Sequence, residues 1–165
     1  MIVKRNKKNL FFRKILVFVD GSKKSDKVLE IALQIADAIG SEVEILFVHK
    51  PAIALNFRYP MSGIGAPLIP NYSQMVHDFN KNTRIDGKHV LIRNYNKAKR
   101  IYPNLEVKTK LLDGKPALEI LKESEEGSYN LIVIGAKGQR RLKPFFLNIV
   151  DTVVNNSNMP VLIVN

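Results

Sequence analysis

The chain has 165 residues, no cysteine, and 26 Lys+Arg against 15 Asp+Glu, a formal charge of +11. A chain of this length forms one domain and can bury a core without staples. The missing thiols exclude disulfides, thiolate metal sites and cysteine nucleophiles, and they fit a cytoplasmic protein. The longest unbroken apolar run is Ile15 to Val19, far short of the ~20 residues of a membrane helix. The basic N-terminus is followed by no apolar segment of signal-peptide length.

Ile15-Leu-Val-Phe-Val19 reads as a strand covered on both faces, and Asp20-Gly21-Ser22 stops it. A helix is expected from about Ser25, with Val28, Leu29, Ala32, Leu33, Ile35, Ala36 and Ile39 on its apolar face. Ser22 or Ser25 caps it and Gly40 ends it. Val43 to Val48 is a second strand. Residues 51–71 hold four prolines and two glycines and are expected to form a mobile loop. A helical stretch follows from about Tyr72 to Tyr102, with Met75, Phe79, Val90, Leu91, Ala98 and Ile101 as its buried stripe and Gly87 weakening its middle. Leu105 to Leu112 alternates apolar with charged residues, the pattern of a half-exposed edge strand. Pro116 opens a helix to about Glu125, Asn130 to Ile134 is a central apolar strand, Pro144 opens a last helix to about Asn156, and Val161 to Val164 is a fifth strand.

Alternating strands and helices imply a parallel sheet with helices on both faces, and ligands bind beyond the carboxyl ends of such strands. The residues there are Asp20-Gly21-Ser22, His49-Lys50 and Gly135 to Gly138. Gly135-Ala-Lys-Gly138 allows an anion close approach to backbone N–H groups, with Lys137, Arg140, Arg141 and Lys143 adding positive charge; it equally suits a tight strand-to-loop turn. It is neither a P-loop nor a dinucleotide fingerprint. Asp20 on its own reads as a turn residue bonding the following backbone. His49 either touches a ligand or is a partly exposed loop residue. The three histidines show no metal-ligand spacing, and no serine is paired with a base, so neither a metal site nor catalytic residues are expected.

The charge divides unevenly. Residues 1–14 carry +6 and the remaining 151 residues carry +5. The cluster Lys81, Arg84, Lys88, Arg93, Lys97, Lys99 and Arg100 is expected on a solvated helix face. A polyanion-binding module, for nucleic acid or anionic membrane, is the alternative that the tail and its neighbours Leu10, Phe11 and Phe12 suggest.

Together, Ile15-Leu-Val-Phe-Val-Asp-Gly-Ser22, Val43 to Val48, Gly114-Lys-Pro-Ala117, Asn130-Leu-Ile-Val-Ile-Gly-Ala-Lys-Gly138 and Met159-Pro-Val-Leu-Ile-Val164 resemble the universal stress protein family. The resemblance covers residues 13–165 and leaves 1–12 as a basic extension. It implies one doubly wound α/β domain with a five-stranded parallel sheet of order 3-2-1-4-5, a homodimer joined through the terminal strand 160–164, and a regulatory or sensor role rather than an enzyme. The family's nucleotide-binding members carry G-x2-G-x9-G-[ST]. Gly135 and Gly138 match its first half, whereas Asn148 and Ile149 replace the second, and Ile149 has no hydroxyl for a phosphate. By resemblance, Asp20 reads the ribose or adenine side and the backbone of Val48 meets adenine, with Arg140 or Arg141 compensating at the phosphates. ATP is the implied cofactor, Mg only alongside it; a family member that binds no nucleotide and acts through protein partners is the competing implication. Asp20 also fits the phospho-acceptor of receiver domains, but Val17-Phe-Val-Asp20 lacks the acidic pair that site needs.

Overall fold

The computed structural model describes residues 12–52, 72–136 and 149–165. Its elements in chain order are β1 (Lys14–Phe18), α1 (Lys23–Ile39), β2 (Glu42–His49), α2 (Tyr72–Ile101), β3 (Val107–Asp113), α3 (Pro116–Glu126), β4 (Leu131–Gly135), α4 (Ile149–Asn156) and β5 (Val161–Val164). The five strands form one parallel sheet in the order β3-β2-β1-β4-β5, as the alternating pattern and the resemblance imply. The calls on the 51–71 loop beyond Ala52, and on the first half of the last helix, lie outside the described residues.

Period-two alternation of side chains distributes the apolar strands between two cores. Ile15, Val17, Val43, Ile45 and Val133 face Val28, Leu29, Ala32, Leu33 and Ala36 of α1 and Leu91 and Ala98 of α2. Leu16, Leu46, Ile132 and Ile134 face Ile120 of α3 and Val150 and Val153 of α4. The fully apolar sequences of β1 and β4 thus follow from their central, doubly covered places.

Ser22, rather than Ser25, caps α1: its Oγ accepts the Ser25 N–H at 3.2 Å, and Ser25 Oγ donates back to the Ser22 carbonyl at 2.8 Å. Gly40 ends the helix with φ of 75°.

α2 is one unbroken helix despite Gly87. The glycine sits where Phe47 crosses beneath it, and a Cβ there would lie 2.6 Å from Phe47 Cε1. Close helix–sheet approach, not a break, accounts for the residue. The expected apolar stripe needs correction: Met75 is 60% and Phe79 55% exposed, and Ile101 is exposed as well. Among the described side chains of α2, burial begins only at Gly87 and continues through Leu91, Asn94 and Ala98. The basic cluster on this helix is mostly solvated, as expected, with Lys81, Lys88, Arg93 and Arg100 exposed, and some of its members also make contacts. Lys97 Nζ lies 2.6 Å from Glu30 Oε1 and Arg93 3.6 Å from Asp26 Oδ1, joining α2 to α1, while Lys99 donates to the carbonyls of Pro103 and Leu105.

The two sheet edges differ. β3 presents exposed Lys108 and Thr109 and half-exposed Lys110, with Lys108 Nζ 3.0 Å from Glu106 Oε1 and Lys110 Nζ 2.6 Å from Glu123 Oε2. β5 presents Val161, Leu162 and a 40% exposed Ile163, with no charged side chain between Val161 and Val164.

Candidate functional site

The strand order reverses between β1 and β4, so the crevice beyond their carboxyl ends is the ligand edge of the sheet. Asp20 follows β1, Gly135 ends β4, and Val48 lies one residue from the end of β2; the three strands are adjacent. The sheet therefore brings three of the predicted residues to one edge. Ile149, the fourth described one, is the first residue of α4 and packs partly buried against the α3–α4 core. Gly138, Arg140 and Asn148 lie outside the described residues, as do Lys137, Arg141 and Lys143.

Asp20 is half-buried, and its Oδ1 accepts the Ser22 N–H at 3.0 Å. The turn role read from the sequence is thus present. A carboxylate has about four lone-pair sites, so one turn bond leaves acceptor capacity for a ligand hydroxyl or amine. Gly21 takes φ of 79°, a left-handed conformation that lets the chain turn sharply off β1. Val48 is buried, its side chain in the α3–α4 core and its register partner Leu112 on β3. Gly135 pairs with Val164, and a Cβ on it would stand 3.2 Å from Val28 Cγ2 of α1. The next N–H, of Ala136, donates to the Val164 carbonyl at 2.7 Å and is already committed to the sheet.

His49 is not a partly exposed loop residue. It is the last residue of β2, 5% exposed, and both ring nitrogens are engaged. Nδ1 lies 2.9 Å from Asp113 Oδ1 at the end of β3, and Nε2 lies 2.9 Å from Thr83 Oγ1 on α2. A carboxylate only accepts, so Nδ1–H is the donor to Asp113; the Thr83 hydroxyl faces Nε2 and also lies 2.9 Å from the Phe79 carbonyl, to which its one hydrogen can donate. Arg84 Nε donates to both oxygens of Asp113, at 3.0 and 3.1 Å. Burial pushes the Asp113 carboxyl up, but the bonds from His49 and Arg84 outweigh it and hold the group below the usual carboxylate range. The sequence signal for this group is Asp113-Gly114 after a strand, a pair that by itself reads only as a turn.

A second polar group lies under α3. Glu44 and Glu123 are buried, and the Tyr129 hydroxyl donates to Glu123 Oε1 at 3.2 Å. Lys110 holds Glu123 from the edge strand, Lys14 lies 3.7 Å from Glu44, and Lys14 Nζ sits 4.1 Å above the Tyr129 ring. Burial, with the two carboxylates close by, pushes the Tyr129 phenol well above its usual range, and the bond to Glu123 holds the Lys110 ammonium up. This group opens on no strand end of the ligand edge and is structural. Among the described residues no three His, Cys, Asp or Glu side chains are grouped to hold a metal ion, and no helix is long and apolar enough to cross a membrane.

Comparison with known proteins places this geometry. The family model described as "Universal stress protein family" matches residues 11–165. The chain is 31% identical over 154 residues to universal stress protein YxiE of Bacillus subtilis, spanning 93% of this chain and 99% of that protein. Its fold matches that of universal stress protein UspA from Lactobacillus plantarum with a TM-score of 0.74 at 18% identity, covering 95% of this chain and all of the other. It also matches the universal stress protein of Archaeoglobus fulgidus solved in complex with dAMP, with a TM-score of 0.60 at 21% identity over 94% of this chain and 100% of the other.

Proposed function

The chain belongs to the universal stress protein family, and we propose that it is a stress-associated regulatory or sensor protein of the cytoplasm that binds an adenine nucleotide, ATP above all, without efficient turnover. The observation that supports this reading is the gathering of Asp20, Val48 and Gly135 on three adjacent strands at the switch point of the sheet. In this reading Asp20 accepts from the ribose or base, the Val48 backbone meets the adenine edge, and Gly135 with Gly138 gives the phosphates access to backbone N–H groups, Arg140 supplying charge. Asn148 can donate one hydrogen bond, and Ile149 contributes its backbone N–H at the start of α4. Mg accompanies ATP through the phosphates alone. A relative-by-fold held dAMP, which supports adenine as the base. The domain proper is residues 13–165, with 1–12 as a basic extension, and it works as a homodimer paired through residues 160–164.

A second reading, of a member that binds no nucleotide and acts on protein partners, is favoured by one residue: Ile149 packs into the core where a phosphate-binding hydroxyl would stand. One experiment separates them. The purified protein is denatured, released nucleotide is identified by mass spectrometry, and ATP-Mg is titrated by calorimetry against the native chain. Micromolar binding that collapses in Gly138→Val and weakens in Asp20→Asn supports the nucleotide reading. No binding at millimolar ATP-Mg overturns it in favour of the second.

A further inference from the structure

The first half of α2 is attached to the other described elements almost without apolar burial. Among the described side chains from Ser73 to Asp86 none is buried; the first buried position of the helix is Gly87. Among the described residues, what holds this half is polar. The Asn80 side chain grips Ala52 from both sides, its Oδ1 accepting the Ala52 N–H at 2.7 Å and its Nδ2 donating to the Ala52 carbonyl at 3.0 Å. One turn on, Thr83 meets His49 and Arg84 meets Asp113. All three contacts land at the carboxyl ends of β2 and β3.

We propose that Thr83, His49, Asp113 and Arg84 form a positioning relay that latches the first half of α2 to the ligand edge and fixes the backbone of Val48. Successive strand residues point to opposite faces, so fixing two in a row fixes the rotation of the peptide plane between them. Val48 is held in the α3–α4 core and His49 in the relay on the other face. The Gly114 N–H donates to the His49 carbonyl at 2.9 Å and pins the same strand end from β3. The placement of Val48 against a base rests on the nucleotide reading above; the latching of α2 does not. None of the four residues belongs to the matched nucleotide pattern, and each acts through another group rather than on the ligand.

The test uses the full chain. Amide exchange is followed residue by residue without nucleotide, and ATP affinity is measured by calorimetry, in Thr83→Val, Thr83→Ser and Arg84→Gln. A charge-linked hydrogen-bond relay of this kind predicts exchange about tenfold faster over residues 73–86 in Thr83→Val, with 91–101 unchanged. ATP should bind about three- to tenfold more weakly in that variant. Thr83→Ser, which keeps the hydroxyl, should restore both to within about twofold. Arg84→Gln, at an exposed position, gives a smaller change of the same sign and keeps the question answerable should Thr83→Val fold poorly. Unchanged exchange in both weakened variants overturns the latch. Faster exchange with unchanged ATP affinity overturns the positioning of Val48. If the unaltered chain binds no ATP, the nucleotide reading and the Val48 half fall together, and the exchange data alone decide the latch.

Discussion

Replacing Asn94 by leucine should make the protein more stable, although Asn94 is the most buried polar side chain on α2. It is 1% exposed, it faces the core between Leu91 and Ala98, and neither Oδ1 nor Nδ2 has a hydrogen-bond partner among the described residues. The neighbouring cross-helix contacts to α1 are made by Arg93 and Lys97 instead. An amide buried without partners costs about 1–3 kcal/mol. Leucine has the same branch point and the same number of side-chain heavy atoms, and it is better in a helix by about 0.5 kcal/mol. Its bulkier methyl groups cost on the order of 1 kcal/mol if the site does not relax. The balance is a gain of about 1–2 kcal/mol, or about 2–8 °C in melting temperature for a chain of this size. Urea unfolding of Asn94→Leu and Asn94→Ala at unchanged m-value measures it; alanine, which removes the amide but leaves space, should fall within about 1 kcal/mol of the parent. A leucine variant less stable than the parent by more than about 1 kcal/mol would refute the reasoning, because the amide would then be serving a partner such as a bound water.

Gly87→Ala sets helix propensity against packing: alanine gains about 1 kcal/mol in a helix, but its Cβ meets the Phe47 ring at 2.6 Å, so urea unfolding should show a net loss of about 1 kcal/mol, and a net gain would mean the helix shifts freely over the sheet. Lys110 and Tyr129 both have raised pKa values, so the stability they carry is complete below about pH 10 and is lost as pH rises through their folded values. Unfolding free energy should therefore fall as pH rises above about 10, less steeply in Tyr129→Phe; a flat curve for the parent contradicts the assignment. Ile163→Asp on the open strand β5 should convert a dimer to a monomer in sedimentation at micromolar protein, and a parent that already sediments as a monomer refutes the proposed pairing.

The sheet was legible because its signals are local. The uninterrupted apolar runs of β1 and β4 announce burial on both faces, and the charged alternation of β3 announces an edge. Ser22, Gly40 and Pro116 mark helix ends by chemistry that needs no tertiary context. α2 was read less well. Its apolar residues at 75, 79 and 101 suit a helical stripe, yet all three are exposed, and sequence periodicity does not report which stretch and which side of a helix its neighbours cover. Gly87 reads as a weak point in the sequence because helix propensity belongs to the helix alone and is blind to Phe47 beneath it. At the site, Asp20, His49 and Gly135 are placed by their strand ends and Val48 by the resemblance. That His49 meets Thr83 and Asp113 shows in no spacing, because the contacts join residues 34 and 64 positions apart. Glu44 inside the apolar run Val43 to Val48 was the visible hint of a buried partner, and Tyr129 and Lys14 supply it.

The unequal edges of the sheet bear on how far such a molecule can assemble. Strand addition at β3 would bring a neighbour's backbone against Lys108 and Lys110, whose ammonium groups are held in place by Glu106 and Glu123. Addition at β5 meets no such obstacle among its four residues. A body that can be extended from one end only, and that meets its own copy at that end about a two-fold axis, has used its only free end after a single encounter. In the proposed homodimer growth would then stop at a pair, and a protein with an exposed β-edge would avoid becoming the repeating unit of a fibre.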